Sequence, residues 1–401
     1  MTSRERMLAA ISGKTPDYVP CSFMIFSAMN LRSSGPEEVV EAQVKLGLDP
    51  VVNLPYDMGD VGRRETECGD LAGYLIQFGA DVRVKDWIEN PPGERYPVLH
   101  REYDTPAGKL TTAVNKTEDW IQGDRVPLFD DFVIPRARKR LVTTPRDLEA
   151  LRYLLPLPTA EARKRAAKRN ARAHAIADKH GLVVAAGWGA LFDAACWIAG
   201  MEDLIVMALD NPEFFRALID RIGKWNLKRM EVMLEAHPHL FIRRAWYETT
   251  AFLSPSLYRE FILPFLKREV ALAHEAGAKF GLISTSAYNP LLDMYMEAGA
   301  DVLIGLDPVQ DNQADFSATK ARTRGRLALW GGVNGFVTVE RGSPMDVRQS
   351  VRSSMELLAP GGGFILSPVD NVTRNEPLVW ANVDALIDEW RKCRDYPFKS
   401  R

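Results

Sequence analysis

The stretch GLISTSAYNP at residues 281–290 places four hydroxyl groups, including that of Thr285, directly after a short apolar run. Ser284, Ser286 and Tyr288 can hold a ligand by hydrogen bonds, because a hydroxyl group both donates and accepts. A short apolar run that ends in Asn-Pro is typical of a buried strand followed by a turn. The sequence therefore predicts a polar ligand site at the end of this strand.

Other polar and aromatic side chains follow apolar runs elsewhere in the chain: Asp57, Trp188, Tyr247, Glu248, Asp307, Asn334 and Asp370. Carboxyl groups transfer protons and accept N–H donors, and indole rings stack on flat ligands. We predict catalytic roles for Asp57, Tyr247, Glu248 and Asp370, with Tyr247 and Glu248 preferred as the proton donor. Cofactor-binding roles are predicted for the remaining residues, together with the three hydroxyl residues.

The apolar runs that precede these side chains indicate eight strands. They lie at residues 18–26, 50–55, 182–187, 240–246, 279–284, 302–306, 326–332 and 363–368. Helical patterns separate most of them, and such an alternation predicts a (β/α)8 barrel. Because chemistry in these barrels lies at the C-terminal ends of the strands, the candidate residues are expected to share one mouth.

The long interval between the second and third strands breaks this alternation. We predict a single domain over residues 1–401 with an insertion at residues 60–180. In the insertion, REYDTPAGKLTTAVNK at residues 101–116 alternates polar and apolar residues around Pro-Ala-Gly, which predicts a β-hairpin over the barrel mouth. The basic segment at residues 161–181 follows, with the spacing of a helix that has one solvated face.

The composition excludes several classes of protein. The 401 residues are 46% hydrophobic and 26% charged with a net charge of -2, which is ordinary for a soluble globular protein and predicts no nucleic-acid partner. No apolar run approaches the roughly 18 residues of a membrane span, so no membrane partner is expected. The four cysteines are far apart and form no C-x-x-C pair, which argues against disulfides and favours the cytoplasm.

Three segments carry a resemblance to a known family: TSRERMLAAISGKTPDYVP near the start, WYETTAFLSPSLYREFILPF in the middle and GGGFILSPVDNVTRNEPLVWANVDALIDEW near the end. They resemble the uroporphyrinogen decarboxylase superfamily over nearly the whole chain. That superfamily includes the porphyrin-pathway decarboxylase and zinc-dependent, corrinoid-linked methyltransferases. The resemblance implies the (β/α)8 barrel fold and an enzyme of one of these two kinds.

The zinc ligands of the methyltransferase branch are not retained. In that branch a His-x-Cys pair after one strand and a cysteine after the last strand hold zinc, and the matching residues are Ser284, Ser286 and Asp370. Neutral hydroxyls are poor ligands for zinc, which prefers thiolate and imidazole. We therefore expect no zinc.

The decarboxylase branch is matched only in part. Asp57 matches its mouth aspartate, whereas its tyrosine corresponds to Cys196 and its histidine to Asp370. The segment FMIFSAMNLR, which replaces an arginine-rich segment, has no cation before Arg32. A polyanionic porphyrinogen would find too few positive charges here.

The combination predicts a zinc-independent methyltransferase that acts on a small methylated or halogenated compound, with tetrahydrofolate as the methyl acceptor. Transfer to a folate nitrogen needs no zinc-bound thiolate, and the carboxylates and amides of the mouth suit the N–H groups of a pterin ring. One alternative is a decarboxylase of a small carboxylate, using Asp57 with Arg32 or Arg374. Another is a non-catalytic partner of a corrinoid protein.

Overall fold

The computed structural model of the chain describes residues 1–54, 67, 76–311 and 315–397. The strands in these residues are β1 (Val51–Asn53), β2 (Arg83–Glu89), β3 (Val98–Thr105), β4 (Gly108–Asn115), β5 (Ala137–Lys139), β6 (Val183–Gly189), β7 (Leu240–Arg244), β8 (Lys279–Ile283), β9 (Val302–Leu306), β10 (Ala328–Asn334) and β11 (Phe364–Val369). Seven of them form one parallel sheet in the order β1, β6, β7, β8, β9, β10 and β11. Strands that follow one another in this sheet are therefore also neighbours in space.

The helices lie mainly between these parallel strands. They are α1 (Ser3–Ile11), α2 (Ser27–Asn30), α3 (Pro36–Lys45), α4 (Asp147–Leu154), α5 (Ala160–His180), α6 (Phe192–Ala199), α7 (Met201–Asp210), α8 (Pro212–Leu234), α9 (Pro255–Leu257), α10 (Leu263–Glu275), α11 (Leu292–Ala298), α12 (Phe316–Thr323), α13 (Pro344–Leu358) and α14 (Pro377–Cys393). No helix of the described residues is both long and apolar enough to span a membrane.

The parallel sheet is buried on both faces, which explains its nearly continuous apolar runs. Side chains of one face, such as Leu240, Ile283 and Ile304, pack against each other inside the curled sheet. Side chains of the other face, such as Phe241 and Leu303, pack in the large core that includes the helices. Successive residues of a strand point to opposite faces, so the face of each site residue follows from its position.

The predicted first strand at residues 18–26 is extended but is not a regular strand. Ser22 N donates to Leu366 O in β11 at 3.0 Å, and Asp49 N, just before β1, donates to Cys21 O at 2.8 Å. Isolated bridges connect the segment to Leu366, Asn371 and Asp395, and the hydrogen bond from Asp49 connects it to the β1 side. Pro20 lacks an N–H group and interrupts a continuous ladder, so seven of the eight predicted strands are found as strands of the sheet.

A four-stranded antiparallel sheet, in the order β2, β3, β4 and β5, lies between β1 and β6 in the sequence. Its central hairpin pairs Thr105 with Gly108, at the position predicted for a hairpin. The basic helix α5 follows, capped by the side chain of Thr159 and ended by Gly181 in the left-handed conformation. The boundaries predicted for the insertion, residues 60–180, remain a prediction.

Candidate functional site at the strand ends

The most connected polar group at the C-terminal strand ends is centred on Arg244, the last residue of β7. Its Nε donates to Asp193 Oδ2 at 2.8 Å, and its Nη2 donates to both oxygens of Asp131 at 2.6 Å. The hydroxyl of Tyr247 donates to Asp131 Oδ1 at 2.9 Å. We call these four residues, Asp131, Asp193, Arg244 and Tyr247, the mouth cluster.

The position of Arg244 follows from the alternation of β7. Leu240 and Ile242 face the interior of the curled sheet, so Arg244, two residues further, extends the same face to the strand end. Asp193 lies in the first turn of α6 and also accepts hydrogen bonds from Trp246 N at 3.2 Å and Tyr247 N at 2.9 Å. The carboxylate of Asp193 thus fixes both the guanidinium and the loop after β7.

Three tryptophan rings surround the mouth cluster. The Arg244 guanidinium lies 4.1 Å from the ring centre of Trp246 and 4.8 Å from that of Trp197, whose Nε1 donates to Asp131. The ring of Trp188 lies 5.7 Å from that of Trp246 and is tilted by 37°. Trp188 and Trp246 are both partly exposed, so they offer flat apolar surface beside the polar cluster.

A bulge in β6 sets the position of Trp188. The pairing of β6 with β7 shifts between Gly187 and Gly189. Gly187 has φ 146°, and a Cβ there would lie 2.1 Å from Ile242 O. Only glycine fits this approach, and the resulting bend directs the residues that follow it.

Asp370 lies directly after β11 and is half-buried. Burial and the negative charges of Asp307 and Asp131 raise the pKa of its carboxyl group, and Arg244 opposes that rise. The side chain therefore belongs to the same mouth. Asp370 also has φ 68°, a left-handed conformation that few residues other than glycine adopt.

Asp307 and Asn334 form a buried pair at the ends of β9 and β10. Asn334 Nδ2 donates to Asp307 Oδ2 at 2.7 Å, and Asp307 Oδ1 accepts hydrogen bonds from Val309 N and Gln310 N. Burial raises the pKa of the Asp307 carboxyl group. The pair lies near Asp370, but its hydrogen-bonding capacity is largely used within the protein.

Glu248 lies on the opposite face of the sheet from the mouth cluster. It contacts Arg243 at 2.5 Å, and Arg243 contacts Glu269 of α10 at 3.2 Å; all three side chains are fully buried. Glu248 Oε1 also accepts a hydrogen bond from Phe192 N, at the start of α6. We call Arg243, Glu248 and Glu269 the rear cluster.

This position corrects the prediction that Glu248 donates a proton at the mouth. Arg243 precedes Arg244 by one residue and so points to the helix side of the sheet, and Glu248 folds back onto it. Burial raises the pKa of Glu248 to about 7, while Arg243 lowers it. The charge of Asp193 adds to the rise, and the Glu248 side chain itself is fully buried.

Of the hydroxyl residues predicted as ligands in GLISTSAYNP, Ser284 and Tyr288 are buried, whereas Ser286 lies nearer the surface. Burial raises the pKa of Tyr295 in α11 and the neighbouring Ser284 hydroxyl partly offsets that rise, so Ser284 faces α11 rather than the mouth. Tyr288 is fully buried, and its hydroxyl has no hydrogen-bond partner in the described residues. Ser286 is partly exposed.

The remaining candidates can be placed as follows. Asp57 lies outside the described residues. The Arg32 guanidinium stacks on Trp380 at 3.8 Å and donates to Asn375. Arg374 is exposed and lies 3.7 Å from both Glu340 and Glu376. Each arginine is therefore already engaged at the surface.

Sequence reasoning missed Asp131, Asp193 and Arg244. The signal was present in the run LFIRRAW, because two adjacent arginines in a buried strand require carboxylate partners on both faces. Neither Asp131 nor Asp193 lies at the end of a strand, so the search of strand ends did not reach them. In the part of the chain that the structure describes, no three His, Cys, Asp or Glu side chains are grouped as a metal site.

The fold and site define a parallel α/β protein whose polar groups converge at the C-terminal ends of its strands. The family model for uroporphyrinogen decarboxylase matches residues 129–393. The chain therefore belongs to the uroporphyrinogen decarboxylase family. A search of curated protein sequences found no significant match.

Two solved structures are similar to this chain. A methyltransferase from Methanosarcina mazei is 18% identical, with a TM-score of 0.57, and the match covers 98% of this chain and 99% of that one. A B12-independent methionine synthase from a Shewanella species is 10% identical, with a TM-score of 0.47, covering 94% and 98% of the two chains. At this identity the first similarity shows the fold alone.

Proposed function

We propose that this protein is a cytoplasmic enzyme that moves a methyl group from a small methylated or halogenated compound to tetrahydrofolate without zinc. Membership of the uroporphyrinogen decarboxylase family supports an enzyme of this general kind. The proposal takes the curled sheet as a closed barrel, with residues 18–26 as its eighth member between β11 and β1. The mouth, at the C-terminal ends of the strands, is then the one polar opening that the described strand ends share.

The observation that carries the proposal is the lack of hydrogen bonds from described residues to the Asp370 carboxylate. Among the described residues no side chain or backbone group hydrogen-bonds to its carboxylate, in contrast to Asp307 and Asp193. A half-buried carboxyl group with a raised pKa, whose oxygens accept no hydrogen bond from the described residues, is suited to exchange a proton with a ligand. Its left-handed backbone is a strained conformation of the kind that clusters at functional sites.

The rings beside the mouth cluster supply a surface for a flat ligand. Trp188 and Trp246 are partly exposed and can stack on a pterin, while Asp370 accepts its N–H donors. Asp307 and Asn334, which we predicted as direct ligands, are better suited to hold the β9 and β10 ends in place. Ser286 remains a candidate for direct contact.

The chain's own groups can balance the protons of this reaction. When a methyl ether loses its methyl group, the leaving oxygen must gain a proton, and the accepting folate nitrogen must lose one. Asp370 in its protonated form can donate to the leaving oxygen and recover a proton from the nitrogen. Tyr247 and Arg244 hold Asp131 in place, and the negative charge of Asp131 raises the pKa of Asp370.

The charge of the mouth favours an uncharged substrate. Asp370 lies near the negative charges of Asp307 and Asp131. Among the described residues Arg244 opposes these charges, and Arg244 is already bound by two carboxylates. A small carboxylate would meet net repulsion there. Because Arg32 and Arg374 are engaged elsewhere, the alternative of a carboxylate decarboxylase finds no support in these contacts.

Methyl transfer can be tested with purified protein, tetrahydrofolate and a panel of methyl ethers and methyl halides. We expect methylated folate, detected by mass spectrometry, with at least one member of the panel, and no loss of activity after chelation. Elemental analysis is expected to find no stoichiometric zinc. Parallel reactions with cobalamin or a corrinoid protein, and with small carboxylates assayed for CO2, test the alternatives.

Binding supplies a separate readout. Tetrahydrofolate is expected to raise the melting temperature of the wild-type protein, because a ligand that binds only the folded state stabilises it. Trp188→Ala should weaken that shift, whereas Trp87→Ala, a substitution of an exposed tryptophan in β2, should leave it unchanged. Absence of both folate binding and methyl transfer, or one zinc per chain lost in Asp370→Ala, would overturn the proposal.

A further inference from the structure

Strand β2 is exposed along its whole length. All seven residues, Arg83–Glu89, are exposed, including three large apolar side chains. Val84 is 41% exposed, Trp87 37% and Ile88 43%. Within the described ranges β2 pairs on one side only, with β3. A long apolar edge of this kind is a ready template for pairing with another strand.

The two faces of β2 have different characters. Asp86 bonds to the buried Arg101 of β3, so Val84 and Ile88, two residues to each side, share that inner face. Trp87 stacks on His100 at 4.8 Å on the outer face, which it shares with Arg83, Lys85 and Glu89. The outer face therefore carries cations at one end of the strand and an acid and an aromatic ring at the other.

We propose that β2 pairs antiparallel with β2 of a second copy of this chain, which would make one continuous eight-stranded sheet. The register that pairs all seven residues has its two-fold axis at Asp86. In that register Arg83 faces Glu89 of the second copy, Lys85 faces Trp87 and Val84 faces Ile88. Each of these contacts occurs twice, and each is complementary: an ion pair, a cation–π contact and an apolar pair.

The remaining position brings the two Asp86 side chains opposite each other. Arg101 of each copy neutralises its own Asp86 through two hydrogen bonds, Nε to Oδ1 at 2.6 Å and Nη2 to Oδ2 at 2.7 Å. The like charges at the axis are therefore compensated within each chain. Glu89 also has capacity for a second partner, because within the described residues it makes one hydrogen bond, between its Oε2 and His100 Nε2 at 3.1 Å.

The size of the interface predicts a weak dimer. Two paired seven-residue strands bury less than the roughly 1,200 Å² that marks the lower end of stable protein interfaces. A dissociation constant in the range of about 1 to 100 μM is therefore expected. Sedimentation velocity of the full chain from about 1 to 300 μM, which brackets that range, should show a monomer that converts to a dimer.

Charge reversal tests the register. Arg83→Glu turns both terminal ion pairs into repulsive pairs, and Glu89→Arg does the same from the other side. Each single variant should weaken dimerisation at least about tenfold. The double variant Arg83→Glu with Glu89→Arg restores opposite charges and should dimerise within about threefold of the wild type. Lys164→Glu, an equal charge change on the exposed face of α5, is the control and should dimerise normally.

Three outcomes would overturn the proposal. The first is a wild-type protein that stays monomeric over the whole concentration range. The second is a dimer that Arg83→Glu and Glu89→Arg leave intact, which would place the interface elsewhere. The third is a double variant that stays as weak as either single variant, which would exclude the register centred on Asp86. Melting temperatures of all variants, expected to equal that of the wild type, separate these outcomes from misfolding.

Discussion

Two adjacent arginines of β7 occupy opposite faces of the sheet, and each is buried between two carboxylates. Arg243 lies between Glu248 and Glu269, and every side chain of this rear cluster is inaccessible to solvent. Arg244 lies between Asp193 and Asp131, and Asp131 retains 31% of its side-chain surface. The rear cluster is fully buried, whereas the mouth cluster opens toward partly exposed tryptophan rings.

The difference shows that burial of charge alone does not identify a functional site. Both clusters carry carboxyl groups with raised pKa values, and the largest cause in each is burial. Only the mouth cluster lies beside a carboxylate, that of Asp370, which the described chain leaves without a hydrogen bond. Access and an unused acceptor, rather than a shifted pKa, separate the chemical site from the structural one.

The largest expected effect is on stability at the rear cluster. Arg243→Met leaves Glu248 and Glu269 buried without their cation and should lower the free energy of unfolding by about 3 to 5 kcal/mol. Arg244→Met should cost less, because Asp131 can be hydrated and Asp193 keeps two backbone donors. Chemical denaturation measures both variants. Equal losses would show that the two clusters do not differ in the way their exposure suggests.

The next effect concerns function at the mouth. Asp370→Asn keeps the shape and suits the left-handed backbone, but it replaces an acceptor with a donor. Ligand binding or turnover should fall by about 30- to 1000-fold, equivalent to about 2 to 4 kcal/mol, with an unchanged melting temperature. Asp307→Asn is the matched control and should instead lower the melting temperature. Activity of Asp370→Asn within about threefold of wild type would show that Asp370 stabilises the loop after β11 and does not act in the site.

The pH dependence of stability should reveal the rear cluster. The folded-state pKa of Glu248 is about 7, above its ordinary value of 4.5, so the folded protein binds this proton more tightly than the unfolded chain. The stability contributed by that proton is fully present below pH 4.5 and is lost as pH rises to 7. We expect the unfolding free energy of wild type relative to Glu248→Gln to fall in this window, by up to about 1.4 kcal/mol per pH unit. A constant or rising difference would contradict it.

The smallest effects should come from two tyrosine hydroxyls. Tyr247→Phe removes the hydrogen bond to Asp131 and should cost about 1 kcal/mol of stability. The same variant should lose a larger fraction of its activity than of its stability. Tyr258, which lies near the rear cluster, has a buried hydroxyl without a hydrogen-bond partner in the described chain. Tyr258→Phe should therefore be neutral within about 0.5 kcal/mol. Thermal and chemical denaturation of both variants make the comparison, and an equal cost at both positions would contradict it.

The sequence by itself predicted the parallel strands and the family. The run VLIGL at Val302–Leu306 is apolar at every position, which is the pattern of a strand buried on both faces, and seven of the eight predicted strands belong to the sheet. The resemblance to the family was confirmed by the family match over residues 129–393, a range that contains the second and third of the three segments. Local pattern carries this information because burial on both faces constrains every residue of a strand.

The tertiary structure alone decided which face each polar residue occupies. Glu248 follows a predicted strand end, as Asp370 does, yet it folds back behind the sheet to meet Arg243 and the first turn of α6. Asp131 reaches the mouth from a segment that precedes β6 by about fifty residues and contacts Arg244. Such placements depend on long-range packing and on a shift of one residue along a strand, which reverses the face of a side chain. Composition and spacing do not contain that information, because the same residue types satisfy either face.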